Sequence, residues 1–234
     1  PDIIEELKKL QDSVQPFPFA DVKELIEAEF NDSLENIYQE FCEEPLAAAS
    51  MAQVHHAKLI SGKEVAVKVQ RPGIEKTIDL DLDILSEIAH FVGHHTKYGE
   101  LYDFSGMVED FQRTIQNEMD FLKEGENADT FLRNFSGDES ITVPKVKWIY
   151  TTKRVLTMEY FKGIKISDLE AIDLAGIDRR KVAERLATSI CNQVLRDGSF
   201  HADPHPGNIQ VMPDGTIIFL DLGMVGCLSE SRKY

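Results

Sequence analysis

The residues best suited to chemistry lie in one short stretch of the sequence. It reads HADPHPGN at residues 201–208, and FLDLG follows at residues 219–223. Asn208 comes five residues after Asp203, and Asp221 comes thirteen residues after Asn208. Carboxylate and amide oxygens hold Mg²⁺, and this order of side chains is typical of enzymes that transfer a phosphoryl group from ATP. The pattern therefore predicts that Asp203 positions the acceptor while Asn208 and Asp221 hold the metal.

Two other interpretations of this stretch remain open. Loops rich in Asp, Pro, Gly and Asn often do no more than turn the chain. Alternatively, His201, Asp203 and His205 could bind zinc, iron or manganese, which would indicate a metallohydrolase. The flanking pattern favours phosphoryl transfer, because residues 209–212 and 216–220 read as two strands joined by a Pro-Asp-Gly turn.

A lysine that contacts the ATP phosphates is expected upstream, on an apolar strand. Residues 64–70 read EVAVKVQ, which alternates as a β-strand does and follows a Ser-Gly turn. Lys68 lies there among small β-branched neighbours, as in the Val-Ala-Ile-Lys pattern of ATP-binding strands. The alternative is an ordinary solvated lysine. The carboxylates downstream favour the phosphate role.

A loop that covers the phosphates should precede this strand by one hairpin. The sequence there is PLAAASMAQ at residues 45–53, centred on Ala47, Ala48, Ala49 and Ser50. Because alanine restricts positive φ, such a loop should be stiffer than a glycine-rich one. The competing interpretation is a helical turn, since alanine is the best helix former.

Three carboxylates lie on a predicted amphipathic helix. From Phe104 to Phe131, apolar residues recur at spacings near three and four, as such a helix requires. At about 100° per residue, Glu118 and Glu124 lie far apart around the helix. They should therefore serve different sites unless the helix breaks between them. Taken alone, Glu118, Asp120 and Glu124 would form a solvated acidic face.

In combination, these motifs resemble the UbiB family, also called the aarF-domain or atypical kinase-like family. The resemblance covers the chain from about Pro1 to Tyr234. It rests on the AAAS loop, the VAVKVQ strand, the Glu-Met-Asp triplet at 118–120 and the HADPHPGN string. It implies a kinase-like fold, binding of ATP with a divalent metal, and support of ubiquinone biosynthesis at membranes, more as an ATPase than as an ordinary protein kinase.

The resemblance also implies roles for single residues. The alanine-rich loop would replace the glycine-rich loop of kinases and contact the nucleotide. Glu118 and Asp120 would form the family's Glu-x-Asp motif, and Glu124 would pair with Lys68. The family's Lys-x-Gly-Gln motif is absent from the sequence. We therefore expect the chain to begin after an N-terminal extension that carries this motif.

Residues 154–163, RVLTMEYFKG, resemble the strand that enters the hinge between the two lobes of a kinase. Met158 would take the gatekeeper position. Glu159 and Phe161 would supply a backbone acceptor and a backbone donor to adenine. A plain edge strand that ends at Gly163 predicts the same sequence, so this alternative stays open.

Four helices are predicted around these motifs. Ile3, Ile4, Leu7 and Leu10 form one apolar stripe, and Asp21 is predicted to cap a helix over residues 22–30. A longer helical region over residues 74–97 is an insertion relative to ordinary kinases. Asp178 is predicted to cap a helix over residues 179–195 that braces the catalytic loop.

Composition limits the partners. The chain has 234 residues, 42% of them hydrophobic, and a net charge of −16. An acidic surface repels nucleic acid and anionic lipid, so the site must be locally positive through Lys68 and Mg²⁺. Three cysteines without metal spacing suit a reducing compartment. No apolar run is long enough to cross a membrane, so this piece is expected to be soluble and cytoplasmic.

The sequence therefore predicts an α+β, two-lobed protein-kinase-like fold. A helical extension occupies residues 1–44, an N-lobe with a helical insertion 45–163, and a C-lobe 164–234, which we expect to continue beyond Tyr234. The expected activity is Mg²⁺-dependent ATP hydrolysis or phosphoryl transfer that supports ubiquinone biosynthesis. Expected partners are ATP, a quinone-precursor lipid and other quinone-biosynthesis proteins, with the full-length protein held at the inner membrane surface by segments outside this chain and no nucleic acid bound.

The main alternative is a non-catalytic scaffold for a lipid-biosynthesis complex. Its conformation would be switched by nucleotide binding. A pure scaffold has no need of an acceptor-positioning carboxylate. The presence of Asp203 beside Lys68, Asn208 and Asp221 therefore favours an enzyme.

Overall fold

The computed structural model describes residues 15–97 and 101–228. The chain forms two compact units, one of residues 1–120 with 152–155 and the other of residues 121–151 with 156–234. Both contain helices and strands, as the predicted α+β class requires. The apolar stripe predicted from Ile3 to Leu10 lies outside the described residues.

The first unit is built on an antiparallel sheet. Its long strand β3 pairs along one edge with β1 and the short β2, and along the other edge with β4. The strands are β1 (Tyr38–Phe41), β2 (Ala47–Ala48), β3 (Ala52–Leu59) and β4 (Glu64–Gln70). The helices are α1 (Phe19–Phe30), α2 (Leu34–Ile37), α3 (Ile74–His95) and α4 (Phe104–Glu118).

The β3–β4 hairpin confirms the strand predicted over residues 64–70. Val65, Val67 and Val69 are buried on one face of β4, and Lys68 points to the other. Gly62 supplies the positive φ of +81° that the connecting turn requires. The alternation of side chains thus presents Lys68 on the opposite face from the apolar core of this strand.

Helix α1 begins earlier than predicted. It starts at Phe19 and follows Pro18, so Asp21 lies in its first turn and the predicted cap at Asp21 is wrong. The helix buries Val22 and Ile26 completely. Proline has a fixed φ and no N–H to leave unpaired, which suits it to a helix start.

The helix predicted from Phe104 to Phe131 breaks in two. Helix α4 ends at Glu118, and a new helix begins at Phe121. The Asp120 N–H donates to the Asn117 carbonyl at 3.2 Å, a three-residue closure that tightens the last turn. Glu118 and Glu124 therefore lie on two different helices, and the angle between them around one continuous helix no longer applies.

The second unit has two small sheets. One has the strand order β5-β10-β9-β7 and the other pairs β11 with β8. The strands of these two sheets are β5 (Ile141–Thr142), β7 (Ile164–Lys165), β8 (Ser199–His201), β9 (Ile209–Val211), β10 (Ile217–Phe219) and β11 (Val225–Cys227). A further strand, β6 (Val155–Glu159), belongs to neither of them. The α-helices are α5 (Phe121–Asn134), α6 (Leu169–Leu174) and α7 (Arg179–Asn192).

Helix α7 confirms the predicted cap at Asp178. The Asp178 carboxylate accepts hydrogen bonds from the N–H groups of Arg180 and Lys181, at 3.0 and 3.2 Å. The helix then widens into a π-helical turn over Gln193–Asp197 and stops at Gly198, which has a φ of +66°. Irregular turns of this kind occur often at functional sites, and this one leads directly into β8.

No helix among the described residues is both long enough and apolar enough to cross a membrane.

The stability of the first unit should depend on pH through His55. Its ring is fully buried, with Nδ1 2.8 Å from the Cys42 carbonyl and Nε2 2.9 Å from the Gln53 side-chain nitrogen. Burial lowers the pKa of His55, and the Cys42 hydrogen bond offsets part of this. As pH falls, His55 therefore binds a proton in the unfolded chain at a higher pH than in the folded chain. Stability is full above the unfolded pKa of about 6.5 and falls, by up to about 1.4 kcal/mol per pH unit, as pH drops towards the folded pKa.

Thermal denaturation from pH 7.5 to pH 5 measures this effect. The fall in Tm should be smaller in His55→Gln than in the parent, and unchanged in His95→Gln, where the histidine is exposed. An equal fall in parent and His55→Gln would contradict the assignment to His55.

Candidate functional site

The segment 201–208 forms a tight loop between β8 and β9. The His205 N–H donates to the Asp203 carbonyl at 2.7 Å, and the Asn208 N–H donates to the His205 carbonyl at 2.8 Å. The His205 ring nitrogen Nδ1 accepts from the Gly207 N–H at 3.1 Å and so caps a short 3₁₀ helix, Pro206–Asn208. The loop leaves Asp203 exposed and Asn208 half-buried at the entry to β9.

The β9–β10 hairpin brings Asn208 and Asp221 to the same place. Ile209 pairs with Phe219, and the Leu220 N–H donates to the Asn208 carbonyl at 2.9 Å. Asp221 is therefore one residue away from the partner of Asn208, although thirteen residues separate the two in sequence. The Asp221 carboxylate also accepts from the Gly223 N–H at 3.0 Å, which sets its orientation in the turn.

The first turn of α5 joins this cluster. A β-carbon at Gly223 would lie 3.2 Å from Asp221 Oδ1 and 3.9 Å from Glu124 Oε2, so both carboxylates face the same glycine. Glu124 is 4% exposed. Asn127, one turn later, donates from Nδ2 to the Leu222 carbonyl at 2.9 Å and ties the turn to α5. The carboxylates of Glu124 and Asp221 thus lie on one glycine, and the backbone of Asn208 pairs with the residue before Asp221. Carboxylate and amide oxygens are the donors that Mg²⁺ prefers.

His201 is a buried support for the loop. Its ring packs on Phe219 with centroids 5.6 Å apart, and its Nδ1 accepts from the Asp203 N–H at 3.3 Å. Burial lowers the pKa of His201, although the negative charges of Asp221 and Asp203 raise it in part. The imidazole is therefore neutral near pH 7 and orients Asp203 through the backbone.

Gln193 is a supporting residue that the motifs did not reveal. Its side-chain oxygen accepts from the His201 N–H at 3.0 Å, and its Nε2 donates to Ser189 Oγ at 3.2 Å. It is 1% exposed and lies in the π-helical turn. The turn thereby anchors β8 at His201, where the loop over residues 201–208 begins.

The metallohydrolase alternative finds no support in the geometry. Its ligands would be His201, Asp203 and His205, yet both histidines direct Nδ1 to backbone N–H groups. No three His, Cys, Asp or Glu side chains within residues 15–97 and 101–228 could hold a metal together. His201, Asp203 and His205 therefore lie in a backbone turn whose N–H groups the two histidine rings accept from.

In the first unit, Lys68 and the alanine-rich loop share one face of the sheet. Val54 on β3 pairs with Lys68 on one side and with Ala47 on the other. Residues directly opposite each other in an antiparallel pair project to the same face. Lys68 and Ala47 therefore flank Val54 on a common surface. Their roles at the phosphates stay predictions.

The alanine-rich loop is a hairpin, so the helical interpretation of it is wrong. Ala47 and Ala48 form β2, and the Ala49 N–H donates to the Ala52 carbonyl at 2.7 Å across the tip. Among the described non-glycine residues only Asn31 has a positive φ, so residues 47–50 keep ordinary backbone conformations. Pairing with β3 overrides the helix preference of alanine.

Arg71, just after β4, fixes the tip of this loop and was not predicted. Its guanidinium donates to the carbonyls of Ser50 at 2.9 Å and Ala49 at 3.3 Å, and its own N–H donates to the Met51 carbonyl at 2.8 Å. It also lies 5.2 Å from the centre of the Phe17 ring. A forked cation suits several carbonyls at once, so Arg71 holds the loop without needing glycine.

Gln70 connects β4 to the predicted Glu-x-Asp motif. Its Nε2 donates to the Met119 carbonyl at 2.9 Å, between Glu118 and Asp120. Gln70 is two residues past Lys68 and is buried. The end of α4 is therefore tied to the end of the strand that carries Lys68. The roles assigned to Glu118 and Asp120 stay predictions.

The predicted hinge residues lie where β6 ends. The Glu159 N–H donates to the Lys145 carbonyl at 2.9 Å, and Glu159 is the last residue of the strand. Phe161 follows in irregular backbone. The proposed contacts of Glu159 and Phe161 with adenine also stay predictions.

Comparison with known proteins gives a consistent result. Residues 9–234 match the family model described as the ABC1 atypical kinase-like domain. The chain is 44% identical over 233 residues to an uncharacterized protein of Synechocystis sp., which covers 99% of this chain and 40% of that protein. It is 40% identical over 236 residues to the "Probable protein kinase UbiB" of Marinobacter nauticus, covering 99% of this chain and 43% of that protein. The chain thus spans less than half of these relatives.

A solved structure supports the fold. The chain is similar to Rv3197 of Mycobacterium tuberculosis, solved as a complex with erythromycin, with a TM-score of 0.74 and 25% identity. The match covers 91% of this chain and 53% of that one. Together with the family match, it confirms the predicted α+β kinase-like fold.

Proposed function

Because the chain belongs to the ABC1 atypical kinase-like family, we propose that it binds ATP with Mg²⁺ and transfers or hydrolyses the terminal phosphoryl group. One observation carries this proposal: the β9–β10 hairpin brings Asn208 and Asp221 together, beside the buried carboxylate of Glu124. Oxygen donors in this number and of this kind fit Mg²⁺. When bound, Mg²⁺ would neutralise the negative charge of the phosphates.

Each of the other steps of the reaction would be carried out by particular residues of the chain. Asp221 and Asn208 would hold the metal, and Asp203 would orient the attacking water or hydroxyl group and take its proton. Asp203 is suited to this because it is exposed while its backbone is held by His201. Lys68 would contact the phosphates, and residues 47–50 would cover them.

Glu124 could also help to hold Mg²⁺, because its carboxylate lies close to that of Asp221. Its carboxylate and that of Asp221 flank Gly223. From the family resemblance we propose in addition that Glu124 orients Lys68, and that Glu118 and Asp120 act on the same reaction. Glu159 and Phe161 would contact adenine through their backbones.

The finer proposal concerns the biological role. The resemblance to UbiB proteins suggests that ATP hydrolysis supports ubiquinone biosynthesis and that a quinone-precursor lipid and other biosynthesis proteins are partners. The chain spans less than half the length of the matched relatives, so this role is proposed for the protein as a whole.

Steady-state ATP hydrolysis, with and without Mg²⁺ and with and without vesicles that carry a quinone-precursor phenol lipid, tests the proposal. We expect Mg²⁺-dependent turnover that rises when the lipid is present. ATP binding without turnover in any condition would favour the scaffold. Failure to bind ATP with Mg²⁺ in calorimetry would overturn the proposal as a whole.

Lys68→Ala should weaken ATP binding by roughly 10- to 150-fold, because one charge-assisted contact contributes about 1.5–3 kcal/mol. The comparison is made by calorimetry with Mg·ATP. Lys63→Ala is the matched control, since Lys63 is an exposed lysine in the turn before the same strand. If Lys68→Ala binds ATP as tightly as the parent and Lys63→Ala do, Lys68 is a surface residue.

A further inference from the structure

Helix α3 is apolar on two sides. Leu82 and Ala89 are buried, at 5% and 6% exposure. A second set of large apolar side chains on the same helix is exposed, and we call it the α3 stripe: Leu80 at 61%, Ile84 at 49%, Ile88 at 53% and Phe91 at 60%. A helix that packs on one side needs one apolar face, so this second face requires its own explanation.

The α3 stripe is continuous. At about 100° per residue, its four positions fall within about 80° of one another, on the side of the helix away from Leu82 and Ala89. From Leu80 to Phe91 it runs about 16 Å, which is three helical turns. A surface of this width and length fits one partner helix that places apolar residues four and three positions apart.

The charges beside the α3 stripe indicate what kind of partner it fits. Asp81 lies just beyond one edge of the stripe, and Glu87 and Asp83 lie beyond the other. Lys76, near the start of the helix, is the one lysine or arginine within α3, against five acidic residues. The stripe is therefore an apolar strip with acidic borders.

These charges argue against two of the possible occupants. A second copy of this chain would bring the same acidic borders, and the chain carries a net charge of −16. An anionic bilayer would be repelled for the same reason. We infer that the α3 stripe docks a basic amphipathic helix of another protein, with its apolar face on the stripe and lysine or arginine opposite Asp81, Asp83 and Glu87.

A designed probe tests this chemistry directly. The probe is a fluorescein-labelled 18-residue helix with leucine at positions spaced four, three and four apart and with lysine on both flanks. A mirror peptide carries glutamate in place of lysine. Binding of each peptide to the 234-residue chain is measured by fluorescence anisotropy at low salt. We expect the lysine peptide to bind at least about tenfold more tightly, and to weaken as salt rises.

Variants locate the binding site. Ile84→Gln with Ile88→Gln should weaken the lysine peptide by about tenfold or more, because two buried apolar contacts are lost. Leu174→Gln is the matched control, since Leu174 is 83% exposed but lies on α6 in the other unit. Asp81→Lys, Asp83→Lys and Glu87→Lys together should reverse the preference, so that the glutamate peptide binds better. Circular dichroism confirms that each variant is folded.

Several outcomes would overturn the inference. Equal binding of both peptides, or no change of preference in the lysine variant, would show that the acidic borders do not select the partner. Sedimentation that reveals a dimer sensitive to Ile84 and Ile88 would identify a second copy as the occupant. Flotation with vesicles of phosphatidylcholine and phosphatidylglycerol that is lost in the variant with Ile84→Gln and Ile88→Gln would identify a membrane as the occupant.

Discussion

Asp221→Asn is expected to reduce Mg²⁺-dependent ATP hydrolysis and nucleotide binding by roughly 100-fold or more while leaving the fold intact. Loss of a residue that only supports a metal ligand already costs 10- to 100-fold, and Asp221 is proposed as a ligand itself. The substitution removes the charge but keeps an oxygen that can accept from the Gly223 N–H, now 3.0 Å from the carboxylate. The turn should therefore keep its shape.

A thermal-shift titration with Mg·ATP measures the loss, because a ligand that binds only the folded chain raises its Tm. Asp79→Asn serves as the control. It removes the same charge as Asp221→Asn, but from an exposed carboxylate on α3. The Tm without nucleotide should match that of the parent in both variants. Undiminished stabilisation of Asp221→Asn by Mg·ATP would remove Asp221 from the metal site.

Asp203→Asn is expected to lower the rate of ATP hydrolysis by about 10²- to 10⁴-fold, the usual contribution of a positioned general base. ATP affinity should stay within a few-fold of the parent, because Asp203 is assigned to the acceptor and not to the nucleotide. Its backbone contacts with His201 and His205 do not involve the carboxylate. The loop should thus be preserved.

Hydrolysis rate and ATP affinity are measured on the same preparation to separate these effects. Asp214→Asn is the matched control, since Asp214 lies exposed in the nearby hairpin turn and Asn can still accept from the Thr216 N–H. Unchanged turnover in Asp203→Asn would argue that another residue positions the acceptor. A fall in ATP affinity of the same size as the fall in rate would place Asp203 at the nucleotide.

The parts of the fold that the sequence predicted correctly depend on short-range rules. The strand around Lys68 follows from the alternation of apolar and polar residues, and the Asp178 cap follows from one side chain that meets two N–H groups within three residues. The β9–β10 hairpin follows from its Pro-Asp-Gly turn, where Gly215 has a φ of +83°. Each of these involves residues that are close in sequence.

The incorrect predictions came from local patterns that the folded chain does not follow. The apolar period continues from Ile115 through Met119 to Leu122, so it could not reveal that α4 ends at Glu118 and α5 begins at Phe121. The helical alternative for Ala47 and Ala48 followed from the intrinsic preference of alanine, which pairing with β3 outweighs. Hydrogen bonds from another part of the chain are present in both places, from Gln70 to the Met119 carbonyl and between β2 and β3, and no local pattern predicts them.

The sequence by itself determined the family, the α+β class and the residue types of the candidate site, since spacing and chemistry alone select Asp203, Asn208 and Asp221. Only the tertiary structure showed how these side chains are held. Gln70 reaches a carbonyl 49 residues away, Asn127 one 95 residues away, and Arg71 one 21 residues away. Such bonds join residues whose order along the chain carries no periodic signal, so they exist only once folding has brought the two ends together.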